Sequence, residues 1–277
     1  MLGTLYVVAT PIGNLKDITL RALEVLKSVD CVACEDTRVT SKLLNRYGIP
    51  KPLISYHEHN ERRRAKELIE RLQRGESVAL VSDAGTPALS DPGAHLVAGA
   101  ASQGITCVPV PGPSAFPALL AVSGWETDRV VFAGFPPSRA SEKQRFLTTI
   151  TEPGIYCFFE SPHRILSLLR QLDKLWNRPQ IVLGRELTKM HEEILRGSAA
   201  ELGRILAERE RIRGEFVLLV RKPEEHQAIR SGGSLQQEYE RLLKSGVDRK
   251  KALKILAKEH GLSRKEIYSR LMKKESN

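Results

Sequence analysis

The chain has 277 residues, 41% of them hydrophobic and 27% charged, with 43 Lys+Arg against 33 Asp+Glu and a net charge of +10. A chain of this length and balance buries substantial cores without disulfides or structural metals. No stretch is apolar for long enough to cross a bilayer, and Met1-Leu2-Gly3-Thr4-Leu5-Tyr6 lacks the basic-then-apolar pattern of an export signal. The expectation is a soluble protein of the cytoplasm with no membrane partner.

In chain order, short apolar runs at 4–9, 31–34, 53–56, 78–82 and 106–110 read as strands. Helical patterns at 19–28, 37–47, 61–73 and 93–103 lie between them, and 114–122 closes the set. Strand–helix alternation predicts an α/β domain with a mainly parallel sheet, spanning 1–122, with ligands gathering at the carboxyl ends of the strands. The unusual residues fall at those ends: Thr10-Pro11-Ile12-Gly13-Asn14, Glu35-Asp36-Thr37-Arg38, His57-Glu58-His59-Asn60, Asp83-Ala84-Gly85-Thr86-Pro87 and Pro111-Gly112-Pro113-Ser114-Ala115. Five successive strand ends with such clusters mark a site.

Cys31 and Cys34 form a C-x-x-C pair, but no second ligand pair follows at similar spacing, and the pair lies in a strand rather than opening a helix. Structural thiols, with no metal and no disulfide framework, are expected.

Residues 123–128 read as a link to a second α/β domain, 123–222. Its strands are expected at 130–134, 155–160, 181–184, 193–195 and 216–220, with helices at 162–176 and 199–212. Several of these strands follow one another through short turns, which predicts more antiparallel pairing than in the first domain. A polar linker is expected at 224–234, ahead of a basic helical extension at 235–277.

From Arg241 to the end, twelve Lys/Arg stand against four Asp/Glu, so the last segment carries +8 and the rest of the chain only +2. A basic tail on a nearly neutral body suggests a polyanionic partner, although a solvated helical surface has the same composition. Ala257, Gly261, Ile267 and Leu271 have the spacing of a helix-turn-helix, and Ser263 with Glu266 forms a capping box for its second helix. Arg249, Lys250, Lys251, Lys254, Arg264, Lys265 and Arg270 favour nucleic-acid contact over a plain helical hairpin.

Neither G-x-G-x-x-G after the first strand nor a Walker A sequence is present, which disfavours NAD and ATP. Gly85 and Pro87 give a tight turn with close backbone approach, flanked by the acceptors Asp83 and Thr86. Ser114-Ala115 opens a helix directly after Pro113. A donor such as S-adenosylmethionine needs groups of this kind, although ordinary strand-to-helix turns also contain them.

Several stretches together closely resemble the ribosomal small-subunit methyltransferase I family of the tetrapyrrole methylase superfamily. They are Val7-Val8-Ala9-Thr10-Pro11-Ile12-Gly13-Asn14-Leu15, Cys34-Glu35-Asp36-Thr37-Arg38, residues 81–91 and 110–115, Phe159-Glu160-Ser161-Pro162-His163-Arg164, and Arg185-Glu186-Leu187-Thr188-Lys189. The resemblance implies two α/β domains with an S-adenosylmethionine cleft between them, a small C-terminal helical extension and a homodimer. It also implies 2′-O-methylation of a cytidine in the decoding region of 16S rRNA, with that RNA within the 30S subunit as the expected partner. By position it implies cofactor contacts at Pro11, Ala84, Gly85, Thr86, Leu89, Ser114 and Ala115, with Asp83 beside them and Phe159 and Leu187 from the second domain. Tetrapyrrole-methylating relatives have a Gly-rich G-x-G-P-G-D after the first strand where this chain has residues 10–14, which favours RNA over a porphyrinoid.

Transfer to a ribose hydroxyl is an in-line displacement that depends on orientation, helped by a base or by a cation beside the developing alkoxide. Lys189 and Glu35 are the leading catalytic candidates, within a wider set of Glu186, Asp36, His57, His59, Glu160 and Arg164. Asn14, Arg38, His59, Glu160 and Arg164 are expected to contact substrate. A methylase of a small cyclic substrate and a non-catalytic RNA-binding protein are the alternatives.

Overall fold

A run of four residues buried on both faces, as in Cys31–Cys34 and Val78–Val81, is stable only between two helical layers. The computed structural model describes residues 1–223, 235–260 and 262–272. Strands β1 (Thr4–Val8), β2 (Cys31–Cys34), β3 (Leu53–Ser55), β4 (Val78–Val81) and β5 (Thr106–Val110) form one sheet in the order β3-β2-β4-β1-β5. Every pairing in it is parallel. One face packs on α3 (Glu61–Gln73) and α4 (Ala94–Ser102) through Leu5, Cys31, Leu80, Leu68 and Leu96. The other packs on α1 (Leu20–Ser28) and α2 (Thr37–Arg46) through Val8, Cys34, Val81, Leu26 and Leu43. Helix α5 (Ala115–Ala121) follows β5.

Cys31 and Cys34 therefore belong to different hydrophobic layers. Positions i and i+3 of a strand point to opposite faces, so the pair cannot close on a metal or on itself. Both thiols are free and buried, and burial raises both pKa values.

The second sheet, in the order β6-β7-β10-β8-β9, consists of β6 (Val130–Gly134), β7 (Gly154–Glu160), β8 (Gln180–Arg185), β9 (Glu193–Ser198) and β10 (Phe216–Lys222). β6 and β7 are parallel, while β8 is antiparallel to both β9 and β10, the mixed pairing expected from the short turns. Tyr156, Phe158, Leu183, Leu218 and Val220 bury against α7 (Ile165–Leu175) and α8 (Ala199–Ala207). The alternate residues Ile155, Cys157, Val182, Val217 and Leu219 face a layer that also contains Ile12, Leu119 and Leu187. Helix α6 (Ala140–Thr149) was not expected from the sequence. Its buried residues are Lys143 and Leu147, so a charged residue interrupts the apolar stripe that would have revealed it.

The chain divides into two compact units, Met1–Ile150 with Ile155–Arg221 and Thr151–Gly154 with Lys222–Asn277. The second contains α9 (Leu235–Lys244), α10 (Arg249–Glu259) and α11 (Arg264–Met272), packed through Leu242, Ala252, Leu256, Ala257, Ile267 and Leu271. The Ser263 hydroxyl accepts from the Glu266 N–H at 3.3 Å, and the Glu266 carboxylate accepts from the Ser263 N–H at 2.8 Å, completing the capping box. Residues 224–234, expected as a linker, and Gly261, expected in the helix-turn-helix turn, lie outside the described residues.

Leu218 is fully buried on β10, the central strand of its sheet. Leu218→Ala is expected to cost about 2–5 kcal/mol. Urea unfolding should show a lower midpoint at an unchanged slope.

Candidate functional site

Beyond their parallel pairing, the ends of β1 and β4 are joined by a second set of bonds. The Thr10 N–H donates to the Gly85 carbonyl (2.8 Å), the Gly85 N–H donates to the Thr10 carbonyl (3.0 Å), and the Thr10 hydroxyl donates to the Ser82 carbonyl (2.9 Å). Thr10 and Ser82 are 2% and 3% exposed, so these bonds satisfy polar groups that water does not reach. Gly85 has φ +85°, which favours glycine whatever the space around it. Ala88 (φ 64°) and Ser90 (φ 66°) also occupy the left-handed region, a strain that persists only where surrounding structure enforces it.

The turn fixed in this way walls a cavity of about 340 Å³. That lies within the roughly 300–1,000 Å³ range of small-ligand sites. Asp83, Ala84, Gly85, Thr86 and Leu89 line it after β4, and Ser114 and Ala115 line it after β5. Phe159, Glu160 and Leu187 close it from the second sheet. Pro11 is buried nearby but does not line the cavity; its neighbour Ile12 does.

The remaining expected residues stand outside the lining. Asn14 is exposed, and its side chain accepts from the Lys16 N–H (3.1 Å), capping the short 3-10 turn Leu15–Asp17. Arg38 is folded onto Asp36 (Nη2 to Oδ2, 2.6 Å), and Asp36 caps α2 through the Arg38 N–H (2.8 Å). That pairing lowers the Asp36 pKa to about 2. His59 is exposed, its ring edge-on to His57 at 5.9 Å. Arg164 binds Glu160 (Nε to Oε1, 2.7 Å) and so reaches the cavity wall indirectly. Glu160 is fully buried at its side chain, with Lys143, itself 1% exposed, 3.7 Å from its other oxygen.

Lys189 does not line the cavity, but its ammonium donates to Glu186 (2.9 Å) and to Glu215 (3.1 Å), and Glu215 does. Desolvation would lower the Lys189 pKa; the two carboxylate bonds outweigh it, and the net shift is upward. Lys189 is therefore a held cation and not a proton acceptor. A Cβ at Gly13 would collide with the Lys189 side chain, so the glycine of the first loop leaves room for that cation.

Glu35 does not line the cavity; burial and the charge of Asp83, which does line it, raise its pKa. Burial likewise raises Asp83, against a hydrogen bond from the Asp36 N–H (3.0 Å). Asp91, a cavity residue that sequence reasoning did not single out, is pushed up to about 6 by burial and then by Glu35. Its placement in the 81–91 stretch was the only available signal. Phe135, Glu215 and Val217 also line the cavity unforeseen, the last two because β10 pairs beside β8.

Residues 4–203 match the Tetrapyrrole (Corrin/Porphyrin) Methylases family. The ribosomal RNA small subunit methyltransferase I of Synechocystis sp. is 41% identical over 280 residues, covering 100% of both chains. The protein of the same name from Pseudomonas aeruginosa is 42% identical and covers 99% of this chain and 98% of its own. The chain belongs to the ribosomal RNA small subunit methyltransferase I family. The fold of this family is shared with the uroporphyrin-III C-methyl transferase of Thermus thermophilus, solved in complex with S-adenyl homocysteine. That structure has a TM-score of 0.54 at 18% identity and covers 78% of this chain and 97% of its own. The cavity lies at the ends of β1, β4 and β5, where sheets of this kind ordinarily take ligands.

Asp91 binds its proton more tightly folded than unfolded, because its folded pKa is raised from 3.8 to about 6. The folded state is then favoured at low pH, and stability falls as pH rises between these two values. Asp91→Asn is expected to raise the melting temperature at pH 7–8 and to flatten its dependence between about pH 4 and 6. Thermal melts across pH with unchanged slope would refute this.

Proposed function

We propose that this chain transfers a methyl group from S-adenosylmethionine to the 2′-hydroxyl of a cytidine ribose in the decoding region of 16S rRNA, with the 30S subunit as substrate and a homodimer as the acting form. Methylation of ribosomal RNA from S-adenosylmethionine is the activity of its family. The observation that carries the reading is the joining of the Asp83–Pro87 turn to Thr10, which puts a close-approach backbone, half-buried carboxylates and apolar walls around one cavity.

The residues fit the cofactor. Leu89, Phe159 and Leu187 offer apolar surface to a purine. The Ser114 hydroxyl makes no capping bond to its helix and is free for a ligand. Asp83 and Asp91 are carboxylates held at raised pKa by burial, which a bound cation would reverse. When bound, the cofactor supplies a methyl group on a positively charged sulfur, open to in-line attack by oxygen.

Lys189 supplies a fixed positive charge for the developing alkoxide. Glu35, with its raised pKa, is the candidate to accept the hydroxyl proton. Glu160 and Arg164 fix the second-sheet rim, and Asn14, Arg38 and His59 offer outward-facing groups to RNA. Lys189→Ala is expected to lower single-turnover methyl transfer from labelled cofactor to 30S subunits by about 10²-fold. Intact rate and RNA affinity in both Lys189→Ala and Glu35→Ala would refute these roles.

The basic unit α9–α11 is assigned to RNA backbone. Lys250→Glu and Lys254→Glu are each expected to weaken 30S binding and to reduce the slope of log affinity against log salt by about one for each phosphate that is no longer neutralised. Binding titrations at several salt concentrations measure both.

A further inference from the structure

Phe135 lines the cavity, but the function proposed above gives it no role. It follows Gly134, whose φ of +65° turns the chain at the end of β6, and precedes Pro136 and Pro137. A residue before proline is held extended, so the backbone here has little freedom. A Cβ at Gly134 would stand 3.2 Å from the Ser90 hydroxyl, so the turn runs tight against the strained segment after β4.

The ring lines the cavity and is nonetheless 54% exposed, which places it at the mouth. It heads a file of aromatic rings. Phe135 meets Phe159 at 5.5 Å and 67°, Phe159 meets Phe132 at 5.2 Å and 71°, and Phe132 meets Phe116 at 5.7 Å and 32°. The inner three pack against the buried layer of the second sheet. A scattered exposed apolar side chain needs no explanation. An exposed ring that is backed by other rings, fixed by glycine and proline, and set at the mouth of a cavity has the attributes of a stacking surface.

We propose that Phe135 is a nucleobase-stacking platform, receiving the base of the nucleotide whose ribose enters the cavity. The inference rests on the ribosomal RNA reading above. A ribose hydroxyl reaches the cavity only if its nucleotide leaves the RNA stack, and unstacked bases are held on aromatic faces. The base attached to that ribose stays outside, at the mouth, where Phe135 lies.

The test compares the unaltered chain with Phe135→Ala, Phe135→Leu and Phe135→Trp. Methyl transfer to 30S subunits gives KM and kcat, and calorimetry gives cofactor affinity. Phe135→Ala is expected to raise KM for 30S about tenfold, Phe135→Trp to restore it within about twofold, and Phe135→Leu not to restore it. Cofactor affinity should be the same in all four. An unchanged KM in Phe135→Ala overturns the platform, as does rescue by Leu equal to that by Trp, which would mark plain apolar contact. An equal loss of cofactor affinity also overturns it, because the ring would then hold the cofactor. Absence of transfer by the unaltered chain removes the ribosomal RNA reading and the platform with it. Transfer indifferent to Phe135 ends the platform alone.

Discussion

Parallel strands β1 and β4 end side by side, and the loops that leave them would ordinarily diverge. The reciprocal backbone bonds between Thr10 and Gly85 prevent this, drawing the turn after β4 back over the end of β1. Much of the site depends on that closure. Gly85, at the closure itself, has left-handed backbone, and Ala88 and Ser90 follow in the same region. The closure also buries the Thr10 and Ser82 side chains, each with its hydrogen bond made. A cavity wall made of backbone tolerates little adjustment, so the geometry is built before any ligand arrives.

The two walls differ in their electrostatics. On the first-sheet side, Glu35, Asp83 and Asp91 crowd together with little positive charge, and burial raises all three. On the second-sheet side the carboxylates are tied to cations. Glu186 is lowered against its desolvation by Lys189 and the Glu215 N–H, and Glu160 lies between Lys143 and Arg164. Glu186 (φ 51°) and Thr188 (φ 65°) hold strained backbone around the Lys189 knot, as Ala88 and Ser90 do opposite. One side thus favours a cationic ligand, while the other presents fixed positive charge beside it.

The parts of this arrangement legible in the sequence were those that a local rule governs. Helix α3 matches its periodicity end to end, and the Ser263–Glu266 box caps the helix it announced. The Asp83–Pro87 turn is marked by its glycine and proline, whatever packs around it. Helix α6 escaped because its buried face includes Lys143, which makes sense only opposite Glu160 from another strand. Ile12, rather than Pro11, reaches the cavity, a one-residue distinction that spacing does not resolve. In the sequence Phe135 is any aromatic after a glycine; the three rings that back it come from other elements or from across the turn.

By itself the sequence determined the alternation of strands and helices, the family, the glycine–proline turn after β4, and the segregation of +8 into residues 241–277. These are properties of neighbouring residues, and periodicity, turn chemistry and composition report them directly. Tertiary structure alone decided which strand ends meet, that Lys189 is locked as a cation while Asp91 holds its proton up to about pH 6, and that Glu215 and Phe135 share a cavity with Asp83. Burial and the charges brought near by strand order set those properties, and neither is a function of sequence distance.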